Sequence, residues 1–228
     1  MSVAQLVDKE AFMGGFYTLQ EAARILHIEQ PSKIGRWAGK YNSAPVIKGQ
    51  YGTNTEIGFF DLMEIRFVNY FRRQGVSLQS IRKAAAAARA QFGQDHPFAL
   101  SNVNFVTDRK QIFLHVAEET GDHTLMDIVS GQQAFYDVIE GFLAEGVSFS
   151  PSGLVADWKP EPKQFPNVLL HPLRAHGLPA LEENGVPTGA LFSLWRAEKQ
   201  NEKKVADWFE IDLEQVKQAI GYELKLAA

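Results

Sequence analysis

Helix-start signals recur at short intervals in this chain, and they limit its fold more than any other feature. Thr18 and Glu21 have the spacing of a capping box, in which hydroxyl and carboxylate each satisfy a backbone donor left open by the first helical turn. The helix opened there carries Leu19, Ala22, Ala23 and Leu26 at spacings of three and four, which makes one apolar face. The two alanines would let a second helix approach closely. After a short turn from His27 to Gln30, Pro31 stands at a first helical position, where its missing N–H would have had no partner anyway. The spacing predicts a second helix over Pro31–Lys40, with Ile34 and Trp37 turned inward and Ser32, Lys33, Arg36 and Lys40 outward. Those outward groups suit phosphate oxygens and base edges.

Past Pro45, segments 46–51 and 56–59 flank the turn-rich Gly52-Thr53-Asn54 and read as a small β-hairpin carrying Lys48, Gln50 and Tyr51. A third helix, about Phe60 to Gln74, is stopped by Gly75 and brings Arg66, Arg72 and Arg73. Ser77 can cap a fourth, which holds Ile81, the run Ala84–Ala88, Arg82, Lys83 and Arg89.

Charge is segregated along the same stretch. Residues 16–92 hold 11 Lys/Arg against 5 Asp/Glu, whereas residues 93–165 hold 4 against 11, so the overall charge of −4 hides a basic block beside an acidic one. Such a division points to two different partners, or to blocks shaped for each other. The absence of cysteine excludes a disulfide scaffold, a thiolate nucleophile and cysteine-held zinc or iron–sulfur centres. Met1–Gly15 carries Asp8, Lys9 and Glu10 without a basic start before an apolar run, so no secretory leader and a cytoplasmic location are expected.

The run "YTLQEAARILHIEQPSKIGRWAGKY", followed by "IGFFDLMEIRFVNYFRRQGVSLQSIRKA", resembles the MerR-type winged helix-turn-helix over residues 16–92. The resemblance implies that Pro31–Lys40 lies in the major groove of double-stranded DNA, while the wing and the Arg72/Arg73 region contact its backbone. Two departures from the pattern are His27, where a turn glycine is usual, and Gln30, which lengthens the turn by one residue. The long heptad-patterned helix of MerR dimers is also missing after Arg89, where Gly93 and Pro97 break the pattern. The homo-oligomer or dimer that the resemblance implies has to be made by another surface.

In the acidic middle, Val103, Phe105, Ile112, Leu114 and Val116 follow period two around Asp108-Arg109-Lys110, and predict a β-hairpin. Thr124 is placed to cap a helix running to about Glu145, weakened at Gly131, and residues 146–158 read as a strand pair. Pro160, Pro162 and Pro166 then mark a directed connection. Asn167–Pro179 reads as extended. Pro187-Thr188 opens a helix through Leu191, Leu194 and Trp195; Asn201 caps another with Val205 and Trp208; Asp212 and Gln215 form a further capping box ahead of Val216 and Ile220. This trihelical arrangement shows Glu214, Lys217 and Glu223 where a DNA-reading helix would be basic, so it is not expected to read DNA. Trp195, Trp208 and Phe209 read as core.

The stretch "VLLHPLRAHGLPALEENGVPTGALFSLWRAEKQNEKKVADWFEIDLEQVKQAIGYE" resembles the domain of unknown function four-three-three of VapB-type antitoxins. Pro172, Gly177 and Pro179 match its extended segment, Pro187-Thr188 its helix start, Val205-Ala206 with Phe209 its second helix, and Val216, Ala219-Ile220 with Tyr222-Glu223 its last. His171 and His176 depart from it. A MerR-like start joined to this module resembles a group of VapB-like antitoxins, which implies repression of the chain's own promoter and neutralisation of a PIN-like ribonuclease.

The expected fold is therefore mainly α with small β elements (α+β). Residues 1–15 form an extension, 16–92 the winged helix-turn-helix, 93–166 an acidic α+β segment and linker, and 167–228 the antitoxin module. The expected DNA-binding set is Ser32, Lys33, Arg36, Lys40, Lys48, Gln50, Tyr51, Arg72 and Arg73; the candidate partner-binding region is Trp195 to Phe209. A MerR-like regulator with a small-molecule-sensing middle domain is the alternative. His115, Glu118, His171 and His176 are the nearest approach to a catalytic or metal-binding set, but Pro172 and Gly177 deny the last two a helical ligand spacing. With no P-loop, G-x-G-x-x-G, G-x-S-x-G or H-E-x-x-H motif, neither an enzyme nor a cofactor or metal is expected.

Overall fold

The computed structural model describes residues 14–40, 44–52, 55–99, 103–131, 145–151 and 153–227, with side chains from 110 onward in the fourth of these segments. The described chain is mainly helical, with three two-stranded antiparallel pairs. In order, β1 is Tyr17–Thr18, α1 Leu19–Ile25, α2 Pro31–Trp37, β2 Glu56–Ile57, α3 Phe59–Arg73, α4 Leu78–Phe92, α5 Val103–Thr120 and α6 His123–Ser130. After these come β3 Val147–Phe149, β4 Val155–Trp158, β5 Val168–Leu169, β6 Ala180–Leu181, α7 Thr188–Ala197, α8 Glu202–Phe209 and α9 Leu213–Ala227. No helix among the described residues is long and apolar enough to cross a membrane.

The capping box at Thr18 forms as its spacing predicts. The Glu21 N–H donates to Thr18 Oγ1 at 3.2 Å, and the Thr18 N–H to the Glu21 carboxylate at 2.8 Å. Ala22 and Ala23 are buried, and a Cβ added at Gly35 of α2 would lie 3.4 Å from Leu19, so small residues on both helices set their approach. His27, in the connecting turn, has φ +50°, the left-handed conformation for which glycine is the usual choice. Ile34 and Trp37 are core, as expected. The second helix ends earlier than Lys40, because Ala38 leaves helical geometry and Gly39 turns left-handed at φ +89°.

The expected hairpin at 46–59 is not formed. Val46 and Ile47 are both buried, so the segment has no alternating faces; it lies as an irregular loop across the start of α3. Arg82 Nε donates to the Ala44 carbonyl at 2.9 Å, and Arg89 donates to that of Val46. Gln50 Oε1 accepts from the Phe60 and Asp61 N–H groups, while Asp61 accepts from the Gln50 and Gly58 N–H groups. Only Glu56–Ile57 is a strand, and it pairs with Tyr17–Thr18 instead. The expected tip at Thr53-Asn54 lies outside the described residues.

The expected hairpin at 102–116 is corrected to a helix, α5. Alternation of Ile112, Leu114 and Val116 leaves out Phe113 and Ala117; with them, the buried set 112, 113, 116 and 117 repeats at one and four, which is a helical face. Phe113 stacks on Phe71 at 5.2 Å, and Phe67 of α3 stacks on Phe98 at 4.1 Å, forming an aromatic cluster between α3, the Pro97–Ala99 turn and α5. A long helix thus does follow Arg89, but its apolar side chains at 112, 113, 116 and 117 are buried inside this chain.

Asp122 joins two helix starts. Its carboxylate accepts from the Ser77 N–H at 3.0 Å and the Ser80 hydroxyl at 2.6 Å at the head of α4, and from the Leu125 N–H at 3.1 Å at the head of α6. Partial burial works to raise its pKa, but these donors outweigh it and hold the carboxyl below its usual range. The expected cap at Thr124 is therefore supplied two residues earlier; the remainder of that expected helix, 132–144, lies outside the described residues.

Beneath the 44–52 loop, His96 approaches Asp61 at 3.6 Å and Glu64 at 3.9 Å, all three buried. Burial pushes His96 down to about 4 and Asp61 up to about 6. At pH 7 the imidazole is neutral, so this contact is not an ion pair.

The strand pair expected at 146–158 forms as β3–β4. The extended reading of 167–179 holds only in part: β5 pairs with β6, and Ala175–Gly177 makes a 3₁₀ turn with His176 left-handed. The three last helices form as predicted around Leu191, Val205, Val216 and Ile220, with Asn201 capping α8 at 3.1 Å. The capping box at Asp212 is half formed: Asp212 accepts from the Glu214 N–H at 2.6 Å, while Gln215 turns away to Glu183 and Asn184.

This last part packs back on the first helices. The Gly15 N–H donates to the Pro172 carbonyl at 3.0 Å, and Tyr17 Oη to the Gly177 carbonyl at 2.5 Å. Any Cβ at Gly177 would fall 2.6 Å from Gly15 Cα. Buried Glu223 of α9 lies 2.5 Å from the Thr188 hydroxyl and 3.8 Å from Arg24 of α1.

Candidate nucleic-acid interface

Two helix ends make the basic site. α2 presents Lys33 and Arg36 one turn apart, because Ile34 and Trp37 fix the opposite side in the core. α3 ends in Arg72 and Arg73, kept outside by burial of Phe71 and Val68. Gly75, at φ +93°, turns the chain away immediately afterwards, and Arg72 itself donates to the Val76 carbonyl across that turn. The four cations converge on one open concavity of about 320 Å³, floored by Trp37, Asn69 and Leu78. Among the described residues, no carboxylate lines it. Basic side chains at the carboxyl end of α3 are also favoured by the helix dipole, which reduces the cost of gathering like charges there.

The remaining expected contacts are placed differently. Ser32 is exposed on α2 but does not line the concavity, and Lys40 stands beyond the helix end. Lys48 pairs with Asp95 at 2.7 Å across an exposed surface. Gln50 is committed to the α3 start, and Tyr51 donates to the Gly15 carbonyl while its ring meets Phe16 at 5.7 Å. The structure therefore brings together Lys33, Arg36, Arg72 and Arg73, and leaves the other five apart from them.

Arg66 lies inward from this surface, its guanidinium 5.0 Å from the Trp158 ring centroid, where burial pushes it down to about 10. It connects α3 to β4. A larger cavity of about 470 Å³ adjoins it, lined by Tyr70, Arg73, Trp158 and Glu161 among others. Asn69, absent from the expected set, faces both cavities. Its signal in the sequence is its position, one turn before Arg72 and Arg73 on the same helix face.

The histidines considered for metal or acid–base chemistry do not assemble. His171 Nδ1 accepts from the Leu173 N–H at 3.1 Å, and no group of three His, Cys, Asp or Glu able to hold a metal occurs among the described residues.

In the partner region, Trp195 is half-buried against Phe192 at 5.5 Å and Phe209 is half-buried. Trp208, expected in the core, is 73% exposed. Val205, Ala206 and Phe209 already complete the buried stripe of α8, and Trp208 stands roughly 100° around the helix from its centre.

No family model matches the chain. It is 28% identical over 225 residues, covering 90% of this chain and 92% of the relative, to the Mycobacterium tuberculosis (strain ATCC 25618 / H37Rv) protein named "Putative antitoxin VapB45". Its fold is similar to the crystal structure of Rv2018 from Mycobacterium tuberculosis, with a TM-score of 0.68, 27% identity, and coverage of 90% of this chain and 96% of that one. Sequence and fold thus resemble an antitoxin-named protein and a solved mycobacterial structure along nearly the whole chain, rather than across one module.

Proposed function

We propose that this chain is the antitoxin of a type II toxin–antitoxin pair, which binds a PIN-like ribonuclease directly and represses its own operon by binding double-stranded DNA. The likeness to an antitoxin-named protein along 90% of the chain supports the first role. The convergence of Lys33, Arg36, Arg72 and Arg73 on one acid-free concavity is the observation that carries the second. A duplex presents paired rows of phosphates, and each cation that meets one releases condensed counterions. In this reading α2 enters the major groove, Arg72 and Arg73 hold the adjacent backbone, and the chain acts as a dimer in the cytoplasm, by binding and without catalysis. The lining of the 320 Å³ cleft, four cations and no carboxylate, suits a row of phosphates.

The test has two arms. The full chain, titrated against its upstream DNA over a salt series, binds in the wild type; Lys33→Ala and Arg36→Ala weaken it and lower the slope of log affinity against log salt by about 0.9 for each phosphate no longer neutralised. Wild-type slopes in both variants would remove α2 from the groove. Co-expressed with the product of the neighbouring reading frame, the chain co-purifies with a PIN-like protein, and migration of the chain alone would end the antitoxin reading.

A further inference from the structure

The corner between α8 and α9 sets an apolar side chain in solvent among acids. Residues 207–214, Asp-Trp-Phe-Glu-Ile-Asp-Leu-Glu, carry four carboxylates and no cation. Within them Trp208 is 73% exposed and Leu213 38% exposed, and Trp208 is the most exposed large apolar side chain among the described residues. A bare indole on a helix is not explained by the fold, because α8 meets its neighbours through Val205, Ala206 and Phe209. Nor is the corner loose. Glu210 takes a left-handed conformation at φ +55°, the Ile211 N–H closes onto the Ala206 carbonyl at 3.1 Å, and Asp212 caps α9. The indole is thus held outward at the end of α8, beside a hydrogen-bonded turn, with Asp207, Glu210, Asp212 and Glu214 exposed in the same eight residues.

We propose that this corner docks the partner, with Trp208 as the anchor: its indole enters an apolar pocket in the cationic, RNA-binding face of the ribonuclease, and the surrounding carboxylates meet the cations that would otherwise hold RNA phosphates. The inference rests on the antitoxin reading above and deepens it. The complementarity decides the occupant. A face that holds RNA phosphates gathers positive charge, and residues 202–217, with five carboxylates against three lysines of which Lys204 meets Glu198 and Lys217 meets Glu214, are net negative and attract such a face. Exposed tryptophans that become buried in such centres are the commonest anchors of binding energy, aided by their large apolar area. The basic cleft of α2 and α3 cannot serve this purpose, since it carries the sign of the partner. The two interfaces therefore divide by charge as well as by position.

The experiment uses the full chain, purified with the neighbouring ribonuclease and compared by calorimetric titration at physiological salt. Trp208→Ala should weaken the complex by about 30-fold, the loss usual for an anchor residue. The charge-reversed pair Asp207→Lys and Glu210→Lys should slow association and flatten its salt dependence. Both should leave thermal stability and DNA affinity at wild-type values, because these side chains are exposed; Arg36→Ala should leave the complex intact. Tight binding of the ribonuclease by Trp208→Ala and by the reversed pair overturns the docking surface while the antitoxin reading stands. Failure of the wild type to bind any ribonuclease overturns both. Loss of a dimer of this chain in the Trp208 variant, with ribonuclease binding unchanged, would reassign the corner to a second copy of the chain and overturn the proposal.

Discussion

The cleft at the ends of α2 and α3 and the corner between α8 and α9 are built alike and charged oppositely. Each presents side chains that the buried stripes of its two helices leave facing solvent. In the cleft these are Lys33, Arg36, Arg72 and Arg73, with no acid among the lining groups. In the corner they are four carboxylates around an exposed indole. The difference teaches that the mild net charge of −4 is a cancellation, and that each surface is specialised more strongly than the average suggests. The two also rest on unequal supports. The cleft stands on the aromatic cluster of Phe67, Phe71, Phe98 and Phe113, whereas the corner stands on a smaller aliphatic set.

That inequality can be broken by mutation. Phe71→Ala should have the largest effect, a loss of about 3–5 kcal/mol in urea unfolding, because it empties the stack beneath Arg72 and Arg73. A loss under about 1 kcal/mol, far below the usual cost of emptying a buried aromatic site, would mean that the cleft does not depend on this cluster. Asp122→Ala should follow, at about 1–3 kcal/mol, since one substitution uncaps α6 and takes an acceptor from the Ser77 N–H and the Ser80 hydroxyl at the head of α4. Asp122→Asn should recover part of it in the same assay, by keeping one acceptor oxygen. Arg73→Ala should sharpen the contrast of charge: DNA affinity falls about tenfold at low salt, in the range of one charge-assisted hydrogen bond, with ribonuclease binding unaltered.

The smallest effect should be one of pH, from the buried pair under the 44–52 loop. His96, held at about 4, makes the fold lose stability as pH falls through the window from 6.5 to 4, where the unfolded chain takes up a proton and the native state does not. Asp61, raised to about 6, acts in the other direction between about 6 and 3.8, where the native state holds the proton. The wild type should therefore be nearly flat there. Urea midpoints should rise on acidification in His96→Phe and fall in Asp61→Asn; parallel profiles would show that the two groups do not titrate as opposed partners.

Much of this was legible in the residues. The capping box at Thr18, the i, i+3, i+4 faces of α1 to α4, and the three C-terminal helices depend on contacts a few residues apart, and those contacts are visible in a linear string. The cationic set was legible too, but only as candidates. Lys33 and Arg36 share a helix face by spacing alone, whereas their meeting with Arg72 and Arg73, thirty-odd residues on, needed the fold to bring both pairs to one cavity. Gln50 and Tyr51 looked like groups for a ligand because polar side chains at a loop give no sign of which backbone donors or acceptors lie near them. The misread α5 has a different origin. Val103, Phe105, Ile112, Leu114 and Val116 fit period two as well as a helix, and Phe113 was the residue that discriminated.

By itself the sequence determined where helices begin, which faces of them are apolar, and that positive charge gathers early and negative charge later, because each of these is a local property of neighbouring residues. Tertiary structure alone decided that the 44–52 segment caps α3 instead of forming a hairpin, that Asp122 serves two helices, that α9 braces α1 through Glu223 and Arg24, and that Trp208 faces solvent. Each of those outcomes depends on which distant surface arrives to bury a side chain or satisfy a donor, and burial is a property of the packed whole.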